Sequence, residues 1–268
     1  EAGIVASRQV WIVAAANPDG YAYNLEILRA SARPNVDNLV RKNRRRSPGN
    51  TCSAASTGVD LNRNFPVCFA VDNVGSQLKP CEEDFRGAGK PLSEPEAQAL
   101  VALVADPALH FGTALNYHSF GKYINLPYMC RSKGTPPAKD YAAFKFFAHE
   151  ATRENGYTWG HPWESGFLYT VNGDVSDWMY DAHGVLAMSP EMGPADPVAT
   201  DLDGFIPAED AMGVATGRAT GTAGASGDAQ VSLRKVIVEE TLAISMLAAQ
   251  MAGAHLVPSV SVTATLVA

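Results

Sequence analysis

The chain has 268 residues, 46% apolar and 18% charged, which excludes a disordered polypeptide. Its formal net charge is −7, with 21 Lys and Arg against 28 Asp and Glu, a balance that argues against nucleic acid as a partner. No uninterrupted apolar run approaches the ~20 residues of a membrane-spanning helix; the nearest, 242–258, carries Gln250 and His255 and reads as a packed helix.

The first element is Val10 to Ala16, a continuous apolar run closed by the turn signal Asn17-Pro-Asp-Gly20. A strand apolar on both faces belongs in a parallel sheet covered by helices. It begins within ten residues of Glu1, so the chain is expected to open part-way through a fold. The segment 41–57 is polar and basic and reads as irregular. Ser93-Glu-Pro-Glu96 combines a Ser cap, Pro in the first turn and Glu at the capping-box position, predicting a helix over 96–104. Strands are predicted at Thr113 to His118 and Val185 to Met188, and helices at 138–155 and 231–251. Residues 216–227 form an Ala/Gly/Thr/Ser tract that reads as a surface insertion. From Val257 to Val267 the apolar residues alternate, which predicts a strand. The alternation of strands and helices implies an α/β fold, a mixed, mainly parallel sheet with helices on both faces. The expected division is one domain over 1–252, and over 253–268 a β-like linker or the start of a further domain.

In such a sheet, ligands bind at the carboxyl ends of the strands. Three ends carry polar residues: Asn17 to Gly20, His118-Ser119 and Glu191. Alone, His118 suits a metal, a proton-transfer role or a structural one, and Glu191 could be a base or a cap. Asn62 and Arg63 stand side by side, and a planar guanidinium beside a neutral amide donor is suited to a carboxylate. Arg41 opens a basic run, 41–46, that could hold an anionic group or simply be solvated. The four cysteines, Cys52, Cys68, Cys81 and Cys130, have no Cys-x-x-Cys spacing. They suit disulfides in a secreted protein or buried thiols in a cytosolic one.

Taken together, these segments resemble the zinc carboxypeptidase A/B family. The similarity runs through Asn17-Pro-Asp-Gly-Tyr21, Arg41-Lys-Asn-Arg44, Gly58-Val-Asp-Leu-Asn-Arg-Asn-Phe65, Phe85-Arg-Gly87 with Ser93-Glu-Pro-Glu96, Asn116 to Gly121, Tyr169 with Asn172 to Trp178, and Pro190-Glu-Met192. The resemblance covers roughly residues 5–252. It implies a secreted, monomeric enzyme that removes single residues from peptide or protein C-termini. It further implies one zinc ion with His118 as a ligand, Glu191 as base toward a zinc-bound water, and Arg41 at the oxyanion. Asn62 and Arg63 would bind the terminal carboxylate and Tyr169 would close over it. Ser176 is implied at the pocket floor and Asp174 on its wall, where it could tolerate a Lys or Arg side chain. A disulfide between Cys52 and Cys81 is also implied; a pairing of Cys68 with Cys130 stays open. The family's first two zinc ligands come from a His-x-x-Glu motif that precedes the Asn-Pro-Asp-Gly turn. The sixteen residues before Asn17 hold no His, so the remaining ligands are expected upstream of Glu1. The one His-x-x-Glu present is His161-Pro-Trp-Glu164, in a Gly- and Trp-rich segment before Tyr169. The alternative is a non-catalytic module of the same fold that binds peptide C-termini.

Overall fold

The computed structural model describes residues 9–30, 39–46, 50–153, 155–164, 169–192 and 261–266. The predicted helix at 231–251 and the tract at 216–227 lie outside them. Strands β1 (Gln9–Val13), β2 (Phe111–Ser119), β3 (Tyr123–Asn125), β4 (Thr158–Gly160), β5 (Leu186–Met192) and β6 (Ser261–Leu266) form one sheet in the order β1-β6-β2-β5-β3-β4. The pairings are parallel except β3 with β5, so the sheet is mixed and mainly parallel, as the sequence predicts. The helices are α1 (Pro18–Ala30), α2 (Pro95–Val104), α3 (Ala138–Thr152) and α4 (Val175–His183). Residues 261–266, expected in a linker or a further domain, pair with β1 and β2 of this sheet.

The core lies where β2 and β5 meet the helices. Leu115, Ala187 and Met188 are buried on the strands. Helix α3 meets the core with Phe144, Phe147 and Ala148, the i, i+3, i+4 stripe of an amphipathic helix, while Phe146 points to solvent. Each buried Phe contributes about 2–3 kcal/mol of transfer free energy. Strand β1 is not covered on both faces: Val10, Trp11 and Ile12 are 46%, 37% and 69% exposed. Among the described residues, little packs over β1, so its two apolar faces are not both buried.

Helix α1 was read as a turn only. Asn17 Oδ1 accepts the Gly20 N–H at 3.0 Å and Pro18 occupies the first helical position, so the Asn-Pro-Asp-Gly sequence starts a helix. The expected Cys52–Cys81 disulfide is present, and so is the open pair, Cys68–Cys130. Closing the 29-residue separation of the first contributes about 3–4 kcal/mol in the chain-entropy account.

Candidate active site

The parallel register of β2 and β5 sets His118 opposite Glu191 at the carboxyl ends of the two strands. A cavity of ≈ 190 Å³ opens there, lined by His118, Glu191, Arg41, Asn62, Arg63 and Tyr169, among others. The six residues come from five separate stretches of chain, and each stretch is tied down by backbone or side-chain bonds.

Asp60 organises the cationic side. Its Oδ1 accepts the Asn62 N–H at 3.0 Å and caps the short 3-10 turn Leu61–Arg63. Its Oδ2 lies 2.8 Å from Arg41 Nε and 3.9 Å from Arg63 Nε. Desolvation pulls the Arg41 pKa down, but Asp60, Tyr169, Glu83 and Glu191 outweigh it and hold the guanidinium charged. The Arg41 carbonyl is fixed in turn by Asn17 Nδ2, which donates at 3.2 Å. Arg63 is buried, with Nη1 donating to the Asn62 carbonyl at 3.0 Å and Nη2 donating to the Tyr169 hydroxyl at 3.2 Å. Tyr169 itself is 48% exposed and stands at the rim.

Glu191 accepts from Asn125 Nδ2 at 3.2 Å. Desolvation raises its pKa to about 7, against the opposing pull of Arg41 and Arg63. His118 is pushed the other way, to about 3, by desolvation and then by the Arg41 and Arg63 charges. It is a neutral imidazole whose Nε2 accepts from Asn116 Nδ2 at 2.8 Å and faces Asn62 Nδ2 at 3.2 Å.

The specificity residues differ from expectation. Ser176 is not on the cavity surface: it is fully buried in the first turn of α4, its hydroxyl 2.9 Å from that of Ser189, which does line the cavity. Asp174 lines the cavity but is only 2% exposed, and both its oxygens are engaged. Oδ1 accepts the N–H groups of Ser176 and Asp177 at 2.7 and 3.2 Å as the cap of α4, and Oδ2 accepts Asn62 Nδ2 at 2.7 Å. A carboxylate committed in this way is poorly placed to reach a cationic side chain. Apolar wall comes instead from Met129, Val171 and Pro162.

Sequence reasoning gave no role to Asp60, Asn116 or Asn125. Asp60 could have been found from its place two residues before Asn62, where an Asp side chain caps a turn. Asn116 could have been found from strand alternation, which puts it on the same face as His118 two residues on, whereas Asn125 carries no local signal, since strand pairing brings it to Glu191.

Zinc needs three protein ligands to be held at a working site. Among the described residues no three His, Cys, Asp or Glu side chains converge, so His118 is a lone imidazole and the described residues do not by themselves make a zinc site. The His161-x-x-Glu164 motif does not supply a pair. His161 is fully buried, stacked between Tyr141 and Trp163 at 5.3 and 4.7 Å, whereas Glu164 is exposed.

Residues 2–216 match the zinc carboxypeptidase (peptidase M14) family. The chain belongs to that family. It is 32% identical over 183 residues to metallocarboxypeptidase A of Arthroderma otae, a match covering 65% of this chain and 39% of the relative. Mouse carboxypeptidase A4 is 28% identical over 182 residues, covering 66% and 39%. The chain thus spans about two fifths of the length of these relatives. Among solved structures, bovine thrombin-activatable fibrinolysis inhibitor in complex with tick carboxypeptidase inhibitor superposes with a TM-score of 0.64 at 24% identity, covering 90% of this chain and 68% of that one. Carboxypeptidase A from Helicoverpa armigera gives 0.64 at 23% identity, covering 90% and 50%. These two share the zinc carboxypeptidase fold, a mixed, mainly parallel sheet with helices.

Proposed function

We propose that the chain carries the substrate-binding and base-bearing part of a metallocarboxypeptidase that removes single residues from the C-termini of peptides. The supporting observation is the single cavity shared by Arg41, Asn62, Arg63, Tyr169 and Glu191. Arg63 and Asn62 bind the terminal carboxylate, and Tyr169 closes over it from the rim. Arg41 steadies the oxyanion that forms when water adds to the scissile carbonyl; losing such a donor typically costs about 3 kcal/mol of transition-state stabilisation. Glu191 takes a proton from that water and delivers it to the leaving amine, a shuttle suited to a carboxyl with a pKa of about 7. The family implies zinc as the cofactor. We assign His118 as one ligand of a single ion, with the others coming from outside the described residues. The pocket prefers neutral side chains. The catalytic domain takes in the strand 261–266, which pairs within its sheet, the protein acts as a monomer, and its two disulfides favour secretion or another oxidising compartment.

A second reading rests on the same lining, carboxylate-binding groups with no ligand cluster among the described residues: a module that binds peptide C-termini without cleaving them. Hydrolysis of a blocked dipeptide by the protein and by Glu191→Gln separates the two. The enzyme reading expects the variant to lose at least about a hundredfold in rate while keeping its affinity for the peptide. Near-normal turnover in Glu191→Gln removes Glu191 from the mechanism. Binding without turnover in a form of the protein that holds equimolar zinc favours the module.

A further inference from the structure

Asn62 and the start of α4 are laced together in both directions. The Asn62 Oδ1 accepts the Val175 N–H at 3.0 Å, and its Nδ2 donates to Asp174 Oδ2 at 2.7 Å. Asp174 meanwhile uses Oδ1 to cap the helix through Ser176 and Asp177. All of these atoms are buried. An amide can be turned over at little steric cost, so its orientation is decided by its partners. Here the partners leave one choice. The backbone N–H of Val175 demands the oxygen and the Asp174 carboxylate demands the nitrogen. The second N–H of Asn62 is then left on the cavity side, toward His118 Nε2 at 3.2 Å.

We propose that Asp174 is a positioning residue for substrate binding: by fixing the amide of Asn62, it keeps an N–H donor rather than a carbonyl oxygen turned toward the terminal carboxylate of the peptide. The inference rests on the carboxylate-binding reading given above. It assigns Asp174 to substrate orientation, with no part in reading the C-terminal side chain.

Substitution by Asn isolates this role. Asparagine is as good a helix cap as aspartate, so Asp174→Asn keeps α4 capped through Oδ1. Its amide nitrogen then faces Asn62 Nδ2, donor against donor. Turning Asn62 over relieves that clash but opposes its nitrogen to the Val175 N–H and turns its carbonyl oxygen toward the cavity. Buried donors are left unpaired in either arrangement, and the Asn62 amide loses its single orientation.

The test measures the affinity of a blocked dipeptide with a free C-terminal carboxylate and of the same peptide as its C-terminal amide. Titration calorimetry is run on wild type, Asp174→Asn, Asn62→Ala and the double variant. Wild type is expected to prefer the acid, and Asp174→Asn to lose about tenfold of that preference, the worth of one hydrogen bond to a charged group. In the Asn62→Ala background the Asp174 substitution should cost nothing further. Asp174→Ser, which also caps, serves as a second variant and should lose the preference in the same direction. If the acid is preferred by wild type and equally by Asp174→Asn, or if the two substitutions add, Asp174 does not position Asn62 and the proposal fails while the carboxylate reading stands. If wild type itself does not distinguish acid from amide, the carboxylate reading fails and takes the proposal with it.

Discussion

Arg41 Nε lies 2.8 Å from Asp60 Oδ2, and the same oxygen lies 3.9 Å from Arg63 Nε. One buried carboxylate therefore sets the spacing of two guanidinium groups that line the cavity, while its other oxygen caps the turn carrying Asn62. Asp60→Asn keeps the shape and removes the charge, leaving the buried Arg63 without an anionic neighbour at this point. We expect a loss of about 3 kcal/mol in unfolding free energy, typical of breaking a buried ion pair from one side. Urea denaturation checks it; a loss under about 1 kcal/mol would show that the two arginines are held by other groups.

Glu191 provides a stability profile with a definite sign. Its pKa rises from 4.5 to about 7 on folding, through desolvation. Between those values the folded state holds a proton that the unfolded state releases, so stability falls as pH rises through the window. The amplitude is at most about 3 kcal/mol. Glu191→Gln has no proton to lose and should flatten the pH 4.5–7 segment of the melting curve, ending more stable than wild type above pH 7. An unchanged slope in the variant would mean that another buried acid, such as Asp174 or Asp177, whose carboxyls burial also raises, dominates the profile.

Tyr169 separates binding from folding. It is 48% exposed, and its hydroxyl accepts from Arg63 Nη2 at 3.2 Å. Tyr169→Phe should leave stability within about 0.5 kcal/mol, as for other exposed positions. Affinity for a free-acid peptide should fall about three- to tenfold, the range of a single hydrogen bond. Affinity for the amide should not change. Equal losses for acid and amide would assign Tyr169 to side-chain packing and not to the carboxylate.

Metal content gives a fourth expectation. With His118 the lone imidazole at the cavity among the described residues, the 268-residue chain is expected not to retain equimolar zinc through dialysis against a weak chelator. Stoichiometric retention that survives His118→Ala would point away from the cavity, first to His161 and Glu164.

Elements with strong periodicity were legible in the sequence. The strand predicted from Thr113 to His118 is Phe111–Ser119, and the helix predicted over 96–104 is Pro95–Val104. A continuous apolar run and a triple helix-start signal each leave little freedom. Strands β3 and β4, three residues each, were missed, because so short a segment is defined by its partners and not by its own sequence. At the site, His118, Glu191, Arg41, Asn62, Arg63 and Tyr169 could be named because they sit at strand ends or in ordered motifs, whereas Asn125, Met129 and Ser189, which also line the cavity, could not. Nor could the groups that those six lean on. Asp174 was taken for a wall charge although Asp174-Val-Ser-Asp177 has a helix cap's spacing, with an acid three residues on. The bonds from Asp174 to Asn62 and from Asn125 to Glu191 join positions 112 and 66 residues apart, and no local pattern reports them.

The segment after Tyr169 has a mechanical consequence. The Val171 N–H is tied to the Met129 carbonyl at 3.0 Å, and Gly173 exchanges backbone bonds with Phe65 and Val67 at 3.1 and 3.0 Å. Gly173 has φ +78°, and a Cβ on it would fall 2.3 Å from the Arg63 carbonyl oxygen, so no other residue lets the two backbones meet. With Val171, Gly173 and Asp174 all riveted, this stretch cannot swing as a hinged flap. On this side of Tyr169 the backbone is anchored, and the ring turns about its own two torsions. For an exposed ring that is a picosecond-to-nanosecond event, so rotation of this side chain is too fast to limit the entry of a peptide.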